Sequence, residues 1–332
     1  MRTKVVFVLT STEKDIYLEQ LWVSLYSLRK LMPKGDAHVV LITDKITESS
    51  FVGHRQKFLS LVDEKIVVDL ATSMSGLQRS RWLKTKSRGL VKGDMLYIDS
   101  DTIFVNRLDE LDNMDCELGG VKDCHASRVN SSRSWDMPKA EEFINNCKAL
   151  GYDVTKEETT FNGGMVYAKD TELSHRFFDM WHKEWIEGIE KGVNTDQPSY
   201  TKTNIALGHP MQEMSGIWNC QVVFGLRYFF NAKILHYFAV SVANKSKTMP
   251  YWFMNDFVYE DVKKEGDITD TIKNALNHPF DLFENGTKIL VGDEAIVAST
   301  RPFIYSYYLY AHHRSLFKKL DKFLKLLSHF RK

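Results

Sequence analysis

Two carboxylates separated by one serine, Asp99-Ser100-Asp101, stand at the end of the apolar run Met95 to Ile98, and Ile103-Phe104-Val105 follow them. Acids held at the lip of a buried strand are costly unless a cation offsets them. Hard carboxylate oxygens suit Mg²⁺ or Mn²⁺, often shared with substrate phosphates. The plainer alternative is a solvated turn with incidental acids. Position favours the metal: the carboxyl ends of strands are where ligands bind in open α/β sheets.

The elements that must position this pair are legible as patterns. Val5 to Leu9 reads as a buried first strand opening onto Thr10-Ser11-Thr12. Leu21, Leu25, Leu28 and Met32 recur at helical spacing, and Pro33 with Gly35 ends that helix. His38 to Ile42 and Ile66 to Val68 read as further strands. Residues 77–93 interleave Arg79, Arg81, Lys84, Lys86, Arg88 and Lys92 with Leu77, Trp82, Leu83 and Leu90, the pattern of a helix with one face on the core. Of these cations, Lys86 and Arg88 read equally well as solvated. Met165 to Ala168 and Lys233 to Phe238 read as strands, and Leu173 to Trp185 as a long helix ended by Gly192. Strand–helix–strand order predicts an α/β domain with a mainly parallel mixed sheet flanked by helices. Residues 240–300 show no dominant period.

The chain has 332 residues, 43% apolar and 26% charged, enough for a sizeable core. Cys116, Cys124, Cys147 and Cys220 form no CxxC pair and read as reduced thiols. The apolar run at the N-terminus is too short for a signal peptide and no run reaches membrane-spanning length, which predicts a cytoplasmic protein. The net charge of +1 hides segregation: from Arg301 onward eight Lys/Arg face one acid, so the tail carries +7 and the body −6. An acidic body argues against a nucleic-acid surface.

The sequence resembles the GT-A-fold glycosyltransferases, in particular family 8, the glycogenin-like and bacterial lipopolysaccharide-sugar transferase group. The likeness runs over roughly residues 3–255 and rests on the order of VVFVLTS, RSRWLKT, YIDSDTIF, GGVKD (119–123), FNGGMVY (161–167), NTDQPSY (194–200), WN (218–219) and ILHYF (234–238). It implies a Rossmann-like nucleotide-sugar-binding domain over 1–255, an acceptor-side or packing extension over 256–300 and a basic, aromatic helix over 301–332. It implies Asp99, Asp101 and His236 as ligands of Mn²⁺ or Mg²⁺; a lone His on a strand would otherwise read as a core residue. Thr10 and Ser11 would contact the nucleoside, and Arg81, Lys84, Ser100 and a lysine, Lys247 or Lys245, would hold the donor. Asn162, Asp196 and Gln197 would lie near the transferred sugar, and Asp123 near the sugar or acceptor. The family pattern of Gly and Lys-Pro-Trp after the histidine is replaced here by HYFAVSVANKSKTMPYW, and FNGG stands where FNSG or FNAG is usual.

The activity so implied is metal-dependent transfer of a hexose from a UDP-sugar to a glycan or glycolipid acceptor with retention of configuration. Two rivals are a degenerate transferase that only binds a nucleotide sugar or glycan, and a haloacid-dehalogenase-type phosphotransferase. The latter uses DxDx(T/V) after its first strand, whereas this motif ends in Ile103 and lies near residue 100. In the tail, Leu316, Leu320, Phe323, Leu324, Leu327 and Phe330 alternate with Lys318, Lys319, Lys322, Lys325, Arg331 and Lys332 at helical spacing. Either it docks on the domain, or residues 312–332 lie on an anionic membrane surface, at the inner face of the cytoplasmic membrane.

Overall fold

The computed structural model describes residues 1–125, 138–157, 159–238, 249–283, 298 and 300–329. Strand β1 (Lys4–Leu9) and strand β2 (Val39–Asp44) are buried almost throughout, as expected of central parallel strands covered on both faces. Between them runs α1 (Tyr17–Leu31). After α2 (Lys45–Ser49) comes β3 (Glu64–Val68), then α3 (Gly76–Leu90) and β4 (Met95–Ile98). The seven-stranded sheet has the order β3-β2-β1-β4-β7-β6-β8, where β6 is Leu118–Lys122, β7 Phe161–Ala168 and β8 Gln212–Glu213. The pairs β3-β2, β2-β1, β1-β4 and β6-β8 are parallel, while β7 runs antiparallel to β4 and β6. The fold is the mixed, mainly parallel α/β sheet flanked by helices that the sequence predicts.

Because β1 and β4 are parallel neighbours in the register Val6↔Tyr97, Thr10-Ser11 and Asp99-Ser100-Asp101 emerge from the same edge of the sheet. Helix α3 is started by Ser75, whose hydroxyl accepts from Gln78 N–H while the Gln78 side chain accepts from the Ser75 N–H, a reciprocal cap contributing about 1 kcal/mol. Its last turn holds a surprise. Arg88 is fully buried rather than solvated, and its guanidinium donates to the Val91 and Gly93 carbonyls. It thereby pins the turn at Gly93 (φ +83°) that feeds β4. Lys86 reaches Asp179 at 3.0 Å.

A second, three-stranded sheet has the order β5-β10-β9. Its strands are β5 (Thr102–Phe104), β9 (Cys220–Gln221) and β10 (Ile234–His236); β10 lies within the strand read over 233–238, while the pairing of the three was not visible in the sequence. Helices α4 (Pro138–Ala149), α5 (Glu172–Glu190) and α6 (Gln197–Ala206) follow the main sheet's outer strands, and α5 packs on α3. Helices α7 (Asp256–Glu265) and α8 (Asp270–Ala275) put Val258, Tyr259, Val262 and Ile272 into the same hydrophobic core as α1 and β1. The tail is two helices rather than one, α9 (Arg301–His312) and α10 (Arg314–His329). On α10, Leu316, Phe323, Leu324 and Leu327 are all about half exposed or more. No helix among the described residues is long and apolar enough to cross a membrane.

Candidate active site at the strand tip

Strand pairing alone assembles the acidic cluster. After Ile98 the chain leaves β4 but stays bonded to β7: the Asp99 N–H donates to the Gly164 carbonyl at 2.8 Å. Thr102 then starts β5, which pairs antiparallel with β10 so that Thr102 faces His236. The Tyr237 N–H donates to the Asp101 carbonyl at 3.1 Å. Two strands distant in sequence therefore deliver His236 beside Asp101, with Nε2 3.2 Å from Oδ1. Asp99, Asp101 and His236 each offer one ligand atom, and these three atoms lie within 4.8 Å of one another. His236 is buried, while the Asp99 and Asp101 side chains are 28% and 19% exposed, which leaves the cluster an open side.

Two carboxylates and an imidazole are a donor set suited to a divalent cation such as Mn²⁺ or Mg²⁺. Burial pushes the Asp101 carboxyl up, but the charge and hydrogen bond of His236 pull it below its ordinary value. Tyr97, on β4 two residues before Asp99, donates its hydroxyl to Asp99 Oδ1. Burial, with the Asp99 charge behind it, raises the Tyr97 phenol well above its usual range, so it stays a donor. Gly164 lies beneath the cluster: a Cβ there would meet His236 Cε1 at 2.6 Å, Asp99 Oδ2 at 2.8 Å and Asn162 Oδ1 at 2.9 Å. The second glycine of FNGG is thus a steric condition of the site. Phe238 stacks on the His236 ring with centroids 3.8 Å apart, from a left-handed backbone (φ +54°) that a bulky residue rarely adopts.

Beside this cluster lies a second acid with different company. Asp196 precedes α6, is 5% exposed, and meets Arg81 Nε at 2.8 Å and Lys84 Nζ at 3.0 Å, both from α3. Burial pushes its carboxyl up, and Lys84 and then Arg81 overcome that and hold it down at about 2. Lys84 also stands 3.5 Å from Asp99 Oδ1 and over the Tyr97 and Trp181 rings, at 5.1 and 5.9 Å from their centroids. Gln197 is braced at both ends of its amide: its Oε1 accepts from the Gly163 N–H at 2.9 Å and its Nε2 donates to the Phe161 carbonyl.

The remaining candidates separate. Asn162 and Asp123 join the acidic cluster: Asn162 Nδ2 donates to Asp123 Oδ1 at 2.9 Å, and burial raises the Asp123 carboxyl. Thr10 is half-buried, with its hydroxyl on the Gly76 carbonyl. Ser11 is buried, and its hydroxyl is engaged by Asp15 at 2.7 Å and Arg55 at 3.2 Å, so its side chain serves the loop's own structure. Ser100 lies half-buried between the two aspartates. Lys245 and Lys247 lie outside the described residues. Sequence reasoning missed Tyr97 and Phe238 and gave Asn219 no role; the only signal for them was their place inside the stretches YIDSDTIF, ILHYF and WN.

No protein-family model matches the chain, and no curated protein matches it. Among solved structures it is similar to mouse xyloside xylosyltransferase 1 in its apo form, at 15% identity and a TM-score of 0.46, over 75% of this chain and 99% of that one. It is similar to galactosyltransferase LgtC in complex with donor and acceptor sugar analogues, at 13% identity and a TM-score of 0.49, over 82% and 99%. It is also similar to the glycosyltransferase GlyE of Streptococcus pneumoniae TIGR4, at 17% identity and a TM-score of 0.46, over 87% and 67%. All three bear the names of sugar transferases.

Proposed function

We propose that the protein is a glycosyltransferase that moves a hexose from a UDP-sugar to a glycan or glycolipid acceptor, with a divalent metal, Mn²⁺ or Mg²⁺, at the strand tip. The observation that carries this is the convergence of Asp99, Asp101 and His236, from two sheets, at the edge where β1 and β4 end. A metal bound there supplies Lewis acidity to a diphosphate.

The chain's own residues do the rest. Asp99 and Asp101, with His236, would hold the cation at the open side of the cluster. Lys84, held 3.5 Å from Asp99, adds positive charge where the leaving diphosphate gathers negative charge. Asp196, kept ionised by its two cations, offers carboxylate oxygens to sugar hydroxyls or to positive character at the anomeric centre, as carboxylates do in glycoside hydrolysis. Thr10 with the Ser11 backbone borders the nucleoside. Asp123 and Asn162 border the acceptor side, and Gln197 keeps β7 against α6. Retention of configuration follows from the family resemblance, with no residue assigned as a nucleophile.

Tail helix α10 fits attachment to an anionic membrane from the cytoplasmic side. Its half-exposed leucines and phenylalanine alternate with Lys318, Lys319, Lys322 and Lys325. Deleting 312–332 is expected to abolish sedimentation with phosphatidylglycerol vesicles; unchanged binding would refute this part. The transferase reading is tested by UDP release from a panel of UDP-sugars with Mn²⁺, with and without EDTA. Turnover that EDTA abolishes is expected. Full turnover in EDTA refutes the metal, and donor binding without any turnover points to the degenerate binder.

A further inference from the structure

A metal-binding histidine must present a bare ring nitrogen, and imidazole in water favours carrying its proton on Nε2. His236 faces Asp101 with Nε2, so the location of its proton decides whether it is a ligand. An amide's two ends look alike in ordinary electron density, but a backbone N–H leaves no such choice.

Gly164 sets the order of the buried hydrogen bonds. Its N–H can only donate, and it points at the Asn162 side chain at 3.0 Å, so the atom there is Oδ1. The other end of that amide, Nδ2, then faces Asp123 Oδ1 at 2.9 Å. Asn162 Oδ1 is also 3.1 Å from the Asn219 amide, which must therefore present Nδ2 to it. The end left over, Asn219 Oδ1, lies 3.0 Å from His236 Nδ1. An amide oxygen can only accept, so Nδ1 carries the proton. All three links are buried: Asn162 is 8%, Asn219 0% and His236 2% exposed.

We propose that Asn219 is a positioning residue that holds His236 in the Nδ1–H tautomer, and that the Gly164 N–H, acting through Asn162, sets its direction. In the neutral ring Nε2 is thereby left without a proton toward Asp101, where a cation can take its lone pair. This rests on the metal reading above for its purpose but not for its geometry. A partner that fixes the distal nitrogen of a ligating histidine typically contributes about 10–100-fold in metal affinity.

The test has two readouts. In the metal-free protein with ¹⁵N-labelled histidine, at a pH where the ring is neutral, long-range ¹H–¹⁵N correlations are expected to show the Nδ1–H pattern for His236, assigned by its loss in His236→Gln. An Nε2–H pattern overturns the proposal whatever the protein does with metal. Separately, Mn²⁺ affinity in the presence of UDP, followed by the electron paramagnetic resonance of free Mn²⁺, should fall about 10–100-fold in Asn219→Leu. Equal affinities in wild type and Asn219→Leu overturn the proposal. If Asn219→Leu does not fold, the wild-type spectrum decides alone. An Nδ1–H wild type that binds no Mn²⁺ would leave the tautomer lock standing and remove the metal reading instead.

Discussion

Two acidic groups share Lys84, yet the protein treats them in opposite ways. Asp196 has Arg81 at 2.8 Å and Lys84 at 3.0 Å, two permanent cations for one carboxylate. Asp99 and Asp101 together have Lys84 at 3.5 Å from one oxygen and the His236 ring on the other. A fold that needed only to neutralise its acids would divide Arg81 and Lys84 evenly between them. Instead both stand closer to Asp196, and the strand-tip pair is left short of positive charge on its open side. The first group is complete in itself; the second is completed by something from outside.

The largest effect follows from breaking the incomplete group. Asp101→Asn or Asp99→Asn should cut Mn²⁺-dependent UDP release by about a thousandfold, an increase of about 4 kcal/mol in the barrier. Thermal unfolding of Asp99→Asn should show little loss of stability, because the change relieves a like-charge pair, whereas Asp101→Asn should melt somewhat earlier, because His236 holds that carboxyl below its ordinary value. Asp196→Asn is the counterpart: it should retain Mn²⁺ binding but melt earlier, since Arg81 and Lys84 lose their partner. If both sites lost metal binding equally, the contrast would fail.

Lys84→Met comes next. Removing a cation from a buried carboxylate costs about 3 kcal/mol, readable as a lower denaturation midpoint in urea. The same change removes a competitor from beside Asp99, so Mn²⁺ affinity without nucleotide should rise by about tenfold. A variant that loses both stability and metal would show that Lys84 serves the two groups alike.

How much of this was legible in the sequence divides along the same line. The strand before Asp99 and the helix carrying Arg81 and Lys84 were readable, because β4 is an apolar run and α3 is long enough to show a helical period. The acidic pair was found because only Ser100 separates its two members. The strand carrying His236 was read, but its role as a ligand came only through resemblance, since nothing in the sequence shows that this strand pairs with β5. The Arg81–Lys84–Asp196 cluster joins residues more than a hundred positions apart, so spacing said nothing of it. Arg88 was left open because a basic residue at a helix end reads equally well as solvated, whereas three backbone carbonyls lie within its reach. The bracing of Ser11 and Gln197 was equally hidden, since a hydroxyl or amide carries no mark of who bonds it.

Acid supplies a third test. Asp196 titrates at about 2 in the fold, below its ordinary value of 3.8. A depressed carboxyl stabilises the fold fully above pH about 4, and that contribution, about 2 kcal/mol, is lost as the pH falls toward 2. Wild type should therefore lose about 2 kcal/mol more than Asp196→Asn between those values in urea titrations at each pH. Equal losses would show that Asp196 is not held ionised by its neighbours.

The finest test uses two adjacent glycines. Gly163 and Gly164 sit side by side on β7, where successive Cβ positions point to opposite faces. Neither has the left-handed backbone that would forbid alanine, so any effect is steric. A Cβ on Gly164 would press on His236 at 2.6 Å and Asp99 at 2.8 Å, while one on Gly163 would meet Gln197 Oε1 at 3.0 Å and Lys84 Nζ at 3.6 Å. Gly164→Ala should thus spread the metal ligands and weaken Mn²⁺ by about tenfold, whereas Gly163→Ala should leave Mn²⁺ binding in place and cost about 1 kcal/mol of stability through the Gln197 brace. Each glycine lies under one of the two acidic groups. A reversed outcome would mean that β7 does not separate them, and that the metal ligands and the Asp196 cluster move as one unit.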